Sequence, residues 1–166
     1  MPQPKVPPSE RINASYKQLA SISPELHSAA KELSKSIDEL NNTLEPLNLG
    51  VAAWATIASG EDENSGYYWS RSIGYTQVDN RWAIALKQAS GSHNPNDHDE
   101  QVWPFSRAPR WMVIESIAKL PELFDSLIDR VQDTIQKLRA RAEQTRELIA
   151  AINAAAAEID ASSVTK

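Results

Sequence analysis

The sequence predicts an α+β protein, mostly α. The expected architecture is a long antiparallel helical hairpin with coiled-coil stripes, with a small three-stranded antiparallel β-head inserted between the helices. Three observations lead there. Apolar residues recur at alternating intervals of four and three near both ends of the chain, the spacing that keeps one helix face apolar over many turns. Between them lie short segments bounded by turn residues, the signature of strands. The first stripe ends where this middle region begins and the second begins where it ends, so an antiparallel pair is the simplest connection.

Residues 1–8 carry four prolines and are expected to form a disordered Pro-rich tail. Residues 9–166 are expected to form a single domain, divided into helical region 9–47, β-head and loop 50–111, and helical region 112–160. The first stripe is Ile12, Tyr16, Leu19, Ser23, Leu26, Ala30, Leu33, Ile37, Leu40, Leu44 and Leu47. Ser9 is its expected N-cap. Ser23-Pro24-Glu25 spells a cap, a first helical residue and an acidic second residue, so a kink or restart is expected at residues 21–24. The second stripe runs Phe124, Ile128, Val131, Ile135, Leu138, Ala142, Thr145, Ile149, Ile152, Ala156 and Ile159, after a restart at Pro121. Each helical region would extend on the order of 55–60 Å at about 1.5 Å per residue. Secondary apolar positions beside the stripes (Ile22 and Ala29; Leu127, Leu148 and Ala155) widen the apolar face and predict a homo-oligomer, a four-helix bundle made by two chains.

The three expected strands are 51–59, 67–76 and 81–89, closed by an acidic tip at 61–66 and by the tight-turn pair Asp79-Asn80. Alternation predicts a bulky face with Trp54, Tyr67, Trp69, Arg71, Ile73, Tyr75, Trp82, Ile84 and Leu86, and a smoother face with Ala53, Ala55, Tyr68, Ser70, Ser72, Gly74, Ala83 and Ala85. Gly74 sits inside a strand, which predicts a bulge or a close approach. Residues 90–101 read as a polar loop.

Composition excludes several functional classes. The chain has 166 residues, no Cys and a formal charge of −5. Disulfides, thiolate zinc sites and Cys nucleophiles are ruled out. Nucleic-acid binding is not expected, because phosphate neutralisation needs a basic surface; Arg139, Arg141 and Arg146 are interleaved with Glu143 and Glu147. The longest apolar run, 51–58, is far short of the roughly 20 residues that span a bilayer. The N-terminus has no apolar h-region, so a cytoplasmic location is expected. No P-loop, dinucleotide fingerprint or nucleophile elbow is present, and no catalytic residue, cofactor or metal is assigned. His93 and His98 with Asp97, Asp99 and Glu100 match no specific zinc spacing; a metal-dependent hydrolase using loop 93–100 stands as an alternative.

The sharpest cluster combines aromatics with arginine. All five Trp fall between residues 54 and 111. Trp69, Arg71, Tyr75, Arg81, Trp82, Arg107, Arg110 and Trp111 form the expected ligand-binding set, since Arg grips anions and Trp stacks on planar rings. The competing expectation is that the same residues build the core of a small sheet. The segment 103–124, with an Ala-x-Arg turn leading into a helix and a Leu-Pro-x-Leu restart, resembles stretches in uncharacterised proteins of bacteria and their phages or mobile elements. That resemblance implies a bacterial or phage source and carries no activity. The expected function is a non-enzymatic homo-oligomeric binding or adaptor protein. Its β-head would recognise a nucleotide-like small molecule or a host protein, in the bacterial cytoplasm or, for a phage-encoded chain, the host cytoplasm. A purely structural coiled-coil spacer is the other alternative.

Overall fold

Apolar periodicity does produce two long helices, and the turn signals do produce an antiparallel sheet between them. The computed structural model describes residues 7–163 apart from 93 and 95. Helix α1 spans Pro8–Leu44 and is followed by a 3-10 turn at Glu45–Leu47. Strands β1 (Ala53–Asp62), β2 (Tyr67–Val78), β3 (Arg81–Gly91) and β4 (His98–Pro104) form one sheet in sequence order, every pair antiparallel. A 3-10 turn at Phe105–Arg107, helix α2 (Arg110–Ser116) and a 3-10 turn at Ile117–Lys119 lead into helix α3 (Leu120–Ser163). No helix among the described residues is long and apolar enough to cross a membrane.

The expected architecture needs two corrections. The sheet has four strands rather than three, because residues 98–104 pair with β3, from Gly91↔His98 to Ala85↔Pro104. Their sequence, HDEQVWP, is acidic and polar at its start, which hides the strand from an apolar-alternation test. An edge strand tolerates it, since charge on an edge discourages pairing with other sheets. Second, the helices do not form a hairpin. Folded back on each other, their stripes would be half-buried along their length. Instead every residue of Pro8–Ile22 and of Ile135–Ala161 is exposed, with Ile12 at 70% and Ile152 at 67%. The C-terminal end of α1 and the 3-10 turn after it lie near the start of α3, where Leu44, Leu47, Phe124, Leu127, Ile128 and Val131 line one groove. Further back, Leu26–Ser34 lies beside Phe105–Ile114. The first turns of α1 and the last turns of α3 therefore form exposed arms.

Smaller expectations on α1 also shift. Pro24 sits inside an unbroken helix. The Ala20 carbonyl, which a proline at 24 leaves without its helical donor, lies on an exposed stretch of helix open to solvent. The helix starts one residue before Ser9, with Pro8 in the first turn, where a proline has no bond to lose. The expected disordered tail lies mostly outside the described residues.

The core lies between one face of the sheet and the two helices. Ile37 and Leu44 of α1, Leu123 and Leu127 of α3, Met112 of α2 and Phe105 pack on Ala53, Ala55, Ile73, Tyr75, Ile84 and Leu86. The register pairs Ala53 with Tyr75 and Ala55 with Ile73. The β1 alanines thus belong to the helix-covered face, and Trp54 belongs to the opposite one, a reversal of the predicted faces for β1. Small side chains on β1 let α3 approach the strand closely. A bulge between Thr56 and Ala58 resets the register further along. The turn between β2 and β3 is as expected: Asp79 and Asn80 have φ of 51° and 62°, the paired left-handed conformation of a two-residue hairpin loop. At the acidic tip, the Ser65 hydroxyl donates to Asp62 at 2.8 Å and the Asn64 N–H at 3.0 Å. The Ser65 hydroxyl and then the Asn64 amide hold the Asp62 carboxyl below its usual range.

One hydrogen bond ties α1 to the sheet. Strand β4 ends at Pro104, opposite Ala85, so the next amide of β3 has no strand neighbour there. Asn41 Oδ1 accepts from the Ile84 N–H at 2.8 Å, in a half-buried position. Asn41→Ala should lower the free energy of unfolding by about 1–3 kcal/mol, the effect of an unpaired buried donor. Asn41→Asp, which keeps an acceptor, should lose less; urea midpoints compare the two.

Candidate functional site

The eight residues expected to bind a ligand fall in three places. Trp69 and Arg71 project from the helix-covered face of β2, and Trp111 comes from α2. The Arg71 guanidinium lies 4.7 Å from the Trp69 ring centroid and 4.9 Å from that of Trp111. Its Nη1 donates to Glu115 Oε2 at 3.0 Å. The Trp69 ring is placed by Gly60 on β1, where a Cβ would lie 2.7 Å from the indole nitrogen. The Arg71 side chain is 19% exposed, and its buried Nε has no partner among the described residues. An unpaired buried N–H costs about 1–3 kcal/mol. Two cation–π contacts of roughly 0.5–2 kcal/mol each offset it, and the Glu115 pair adds to them. The arrangement is self-contained: the slot between two tryptophans, where a planar ligand would stack, already holds Arg71.

Tyr75 and Trp82 lie on the same face toward the other end of the strands. Their rings stack with centroids 5.7 Å apart and 26° between planes. Arg71 and Tyr75 are separated by four residues of strand, about 13 Å, so the two aromatic groups do not converge. Arg81 pairs with Glu45 at 3.4 Å, and Arg107 pairs with Asp79 at the β2–β3 turn. Burial, and secondarily the Glu45 carboxylate, push the Tyr75 phenol above its ordinary value. The neutral phenol is thus favoured in the folded state. Its contribution to stability is intact below the unfolded value near pH ~10 and is lost as pH rises through the higher folded one. Tyr75→Phe should flatten the alkaline loss of stability, a difference read by urea unfolding at pH 8 and pH 11.

Arg110 belongs to a third place. It lines an apolar groove between α1 and the segment leading into α2, with a volume of about 490 Å³. Leu26, Ala30, Leu33, Phe105, Val113 and Ile114 form its walls, and Lys31 stands with Arg110 among the lining residues. Ile114 is exposed. A second groove of about 340 Å³, lined by Leu44, Leu47, Leu49, Phe124, Leu127, Ile128, Val131 and Gln132, lies where α3 leaves the sheet. Each arm therefore starts beside an open apolar groove.

The face of the sheet away from the helices carries Trp54, which strand alternation placed on the other face. Trp54 lies flat over Gly74, so close that a Cβ there would overlap the indole. Lys87 Nζ sits 4.4 Å from the Trp54 ring centroid and 3.5 Å from Glu100. The Tyr68 hydroxyl and His98 Nδ1 share a hydrogen bond of 2.9 Å. The glycine was the visible signal: a close approach was expected at Gly74, and Trp54 is what approaches. Glu100 and His98 come from β4, the strand that escaped the sequence. Among the described residues no three or more His, Asp or Glu side chains gather as metal ligands would; His93 lies outside those residues.

No family model, curated protein or solved structure matches this chain.

Proposed function

We propose that this protein is a non-enzymatic, homo-oligomeric adaptor of the bacterial cytoplasm, or of the host cytoplasm if phage-encoded. The helical arms join copies through intermolecular coiled-coil contacts, and the sheet with α2 presents the recognition surface to a host protein. The reading rests chiefly on the two arms, whose apolar stripes are exposed among the described residues. Exposed Trp111 and Ile114 on α2 favour a protein partner, since aromatic and aliphatic anchors dominate such interfaces. The resemblance of residues 103–124 to mobile-element proteins fits masking of a host component.

A nucleotide-like ligand is the weaker form of the same reading, because Arg71 occupies the aromatic slot. Thermal unfolding with cyclic and linear nucleotides separates the two. A nucleotide at about 100 times its Kd would add roughly 2.7 kcal/mol of stability; no shift in Tm is expected. Sedimentation equilibrium tests the assembly. A mass at least twice 18.4 kDa is expected, and a monomer at all concentrations would remove the adaptor reading.

A further inference from the structure

We infer that two copies pair antiparallel along their α1 arms, about a twofold axis at residue 21, and that each arm's start fills the other copy's groove at Leu26–Ser34. The inference deepens the adaptor reading and rests on it.

The α1 arm is unlike a solvated helix. Between residues 12 and 30 its formal charges are Lys17 and Glu25 alone. A helix that water surrounds on all sides is ordinarily polar all round and laced with charge pairs. The stripe Ile12, Tyr16, Leu19, Ser23, Leu26, Ala30 keeps the four-three rhythm of an interhelical seam. The same stripe continues into Leu33, Ile37 and Leu44, which pack on the chain's own core. The seam thus leads without a break from the buried part of α1 through the groove and out along the arm.

An antiparallel partner centred on residue 21 matches this stripe in size. Ile12 falls opposite Ala30, Leu19 opposite Ser23, and Tyr16 opposite Leu26. In two of the three layers a large side chain meets a small one, and the twofold repeats each layer. Lys17 falls level with Glu25, so no like charges face each other. Parallel pairing would set Ser23 against Ser23 and Ala30 against Ala30, leaving both layers underfilled. The antiparallel register also carries Ile12 of the other copy to Ala30, which lines the groove of about 490 Å³ with Phe105, Val113 and Ile114. The groove is then a socket that one chain cannot fill. The contact is isologous and closes at two copies.

The chain has no Cys, so single cysteines report the geometry directly. A disulfide needs Cα atoms about 4.4–6.8 Å apart. Ala20 and Ile22 lie one residue either side of the axis, so each is level with the other and only about 3 Å along the helix from its own copy. Ile22→Cys and Ala20→Cys are expected to give the cross-linked dimer as the main species under mild oxidation. Ile12→Cys co-expressed with Ala30→Cys should give the mixed dimer, and neither should cross-link efficiently with itself. All four positions except Ala30 are exposed, and circular dichroism checks that each variant is folded. Self-cross-linking of Ile12→Cys as readily as Ile22→Cys would mean parallel arms and overturn the inference. A dimeric mass with none of these cross-links would overturn it while leaving the adaptor assembly standing. A monomeric mass for the unmodified chain would remove both.

Discussion

Leu123→Ala is expected to lower the free energy of unfolding by about 3–5 kcal/mol, the usual effect of emptying a fully packed leucine site. Leu123 is 1% exposed and sits where α3 crosses the sheet, within the core formed with Ile37, Ile73, Tyr75 and Met112. The alanines of β1 beneath α3 leave no long side chain to swing into the space. A typical domain has about 5–15 kcal/mol in all, so the variant should be marginal at ordinary temperature. Leu148→Ala makes the same chemical change on the α3 arm, where the side chain is 65% exposed. In dilute monomer it should alter unfolding by less than about 0.5 kcal/mol. Denaturation with urea, followed by far-ultraviolet circular dichroism, distinguishes the two. Equal effects at both positions would mean that the arm is as buried as the core.

Gly74→Ala should also be disruptive although it adds a single methyl. The new Cβ would overlap the six-membered ring of Trp54, and both residues are fixed by the β1–β2 register at Trp54↔Gly74. Trp54 must turn away, giving up its contact with Lys87. A destabilisation of about 1–3 kcal/mol is expected for such overpacking. Because the loss acts through Trp54, the effects should not add. In a Trp54→Ala background, Gly74→Ala should be nearly harmless, and the double-mutant cycle measures the coupling. Strict additivity would show that the glycine is required for some other reason.

These two sites mark the difference between what was legible in the sequence and what was not. The left-handed turn at Asp79-Asn80 was legible because its chemistry is local. The need for a glycine at 74 was legible too, but its neighbour was not: Trp54 reads as bulky and was placed with the bulky residues. The register decided otherwise, setting the alanines under α3. Strand β4 was missed because HDEQ carries no apolar alternation, and an edge strand does not require one. The stripes on α1 and α3 identified an apolar face correctly and its cover wrongly. Periodicity says that a face is apolar; it does not say which surface meets it. Leu33, Ile37 and Leu44 of the first stripe pack into the chain's own core, whereas Ile12, Tyr16 and Leu19 of the same stripe are exposed.

The candidate residues divide the same way. Arg71 was visible as a charge among bulky neighbours on one strand face, and Trp69 is indeed two residues away. Trp111 and Glu115, which complete its surroundings, come from a helix 40 residues on and are joined to it only by tertiary folding. Arg110 was grouped with them by composition and proves to line the groove instead, beside Lys31 of a distant helix.

The central claim is that the sheet unit is complete within one chain while the arms depend on other copies. Amide hydrogen exchange at two protein concentrations tests it directly. Amides of Ile73, Ile84 and Leu86 should be protected equally at both. Amides of the arms, around Leu19 and Ile149, should be protected in concentrated protein and exchange quickly in dilute protein, as isolated helices of this length are marginal in water. Arms protected to the same degree at both concentrations, in a protein whose mass is monomeric throughout, would contradict the account.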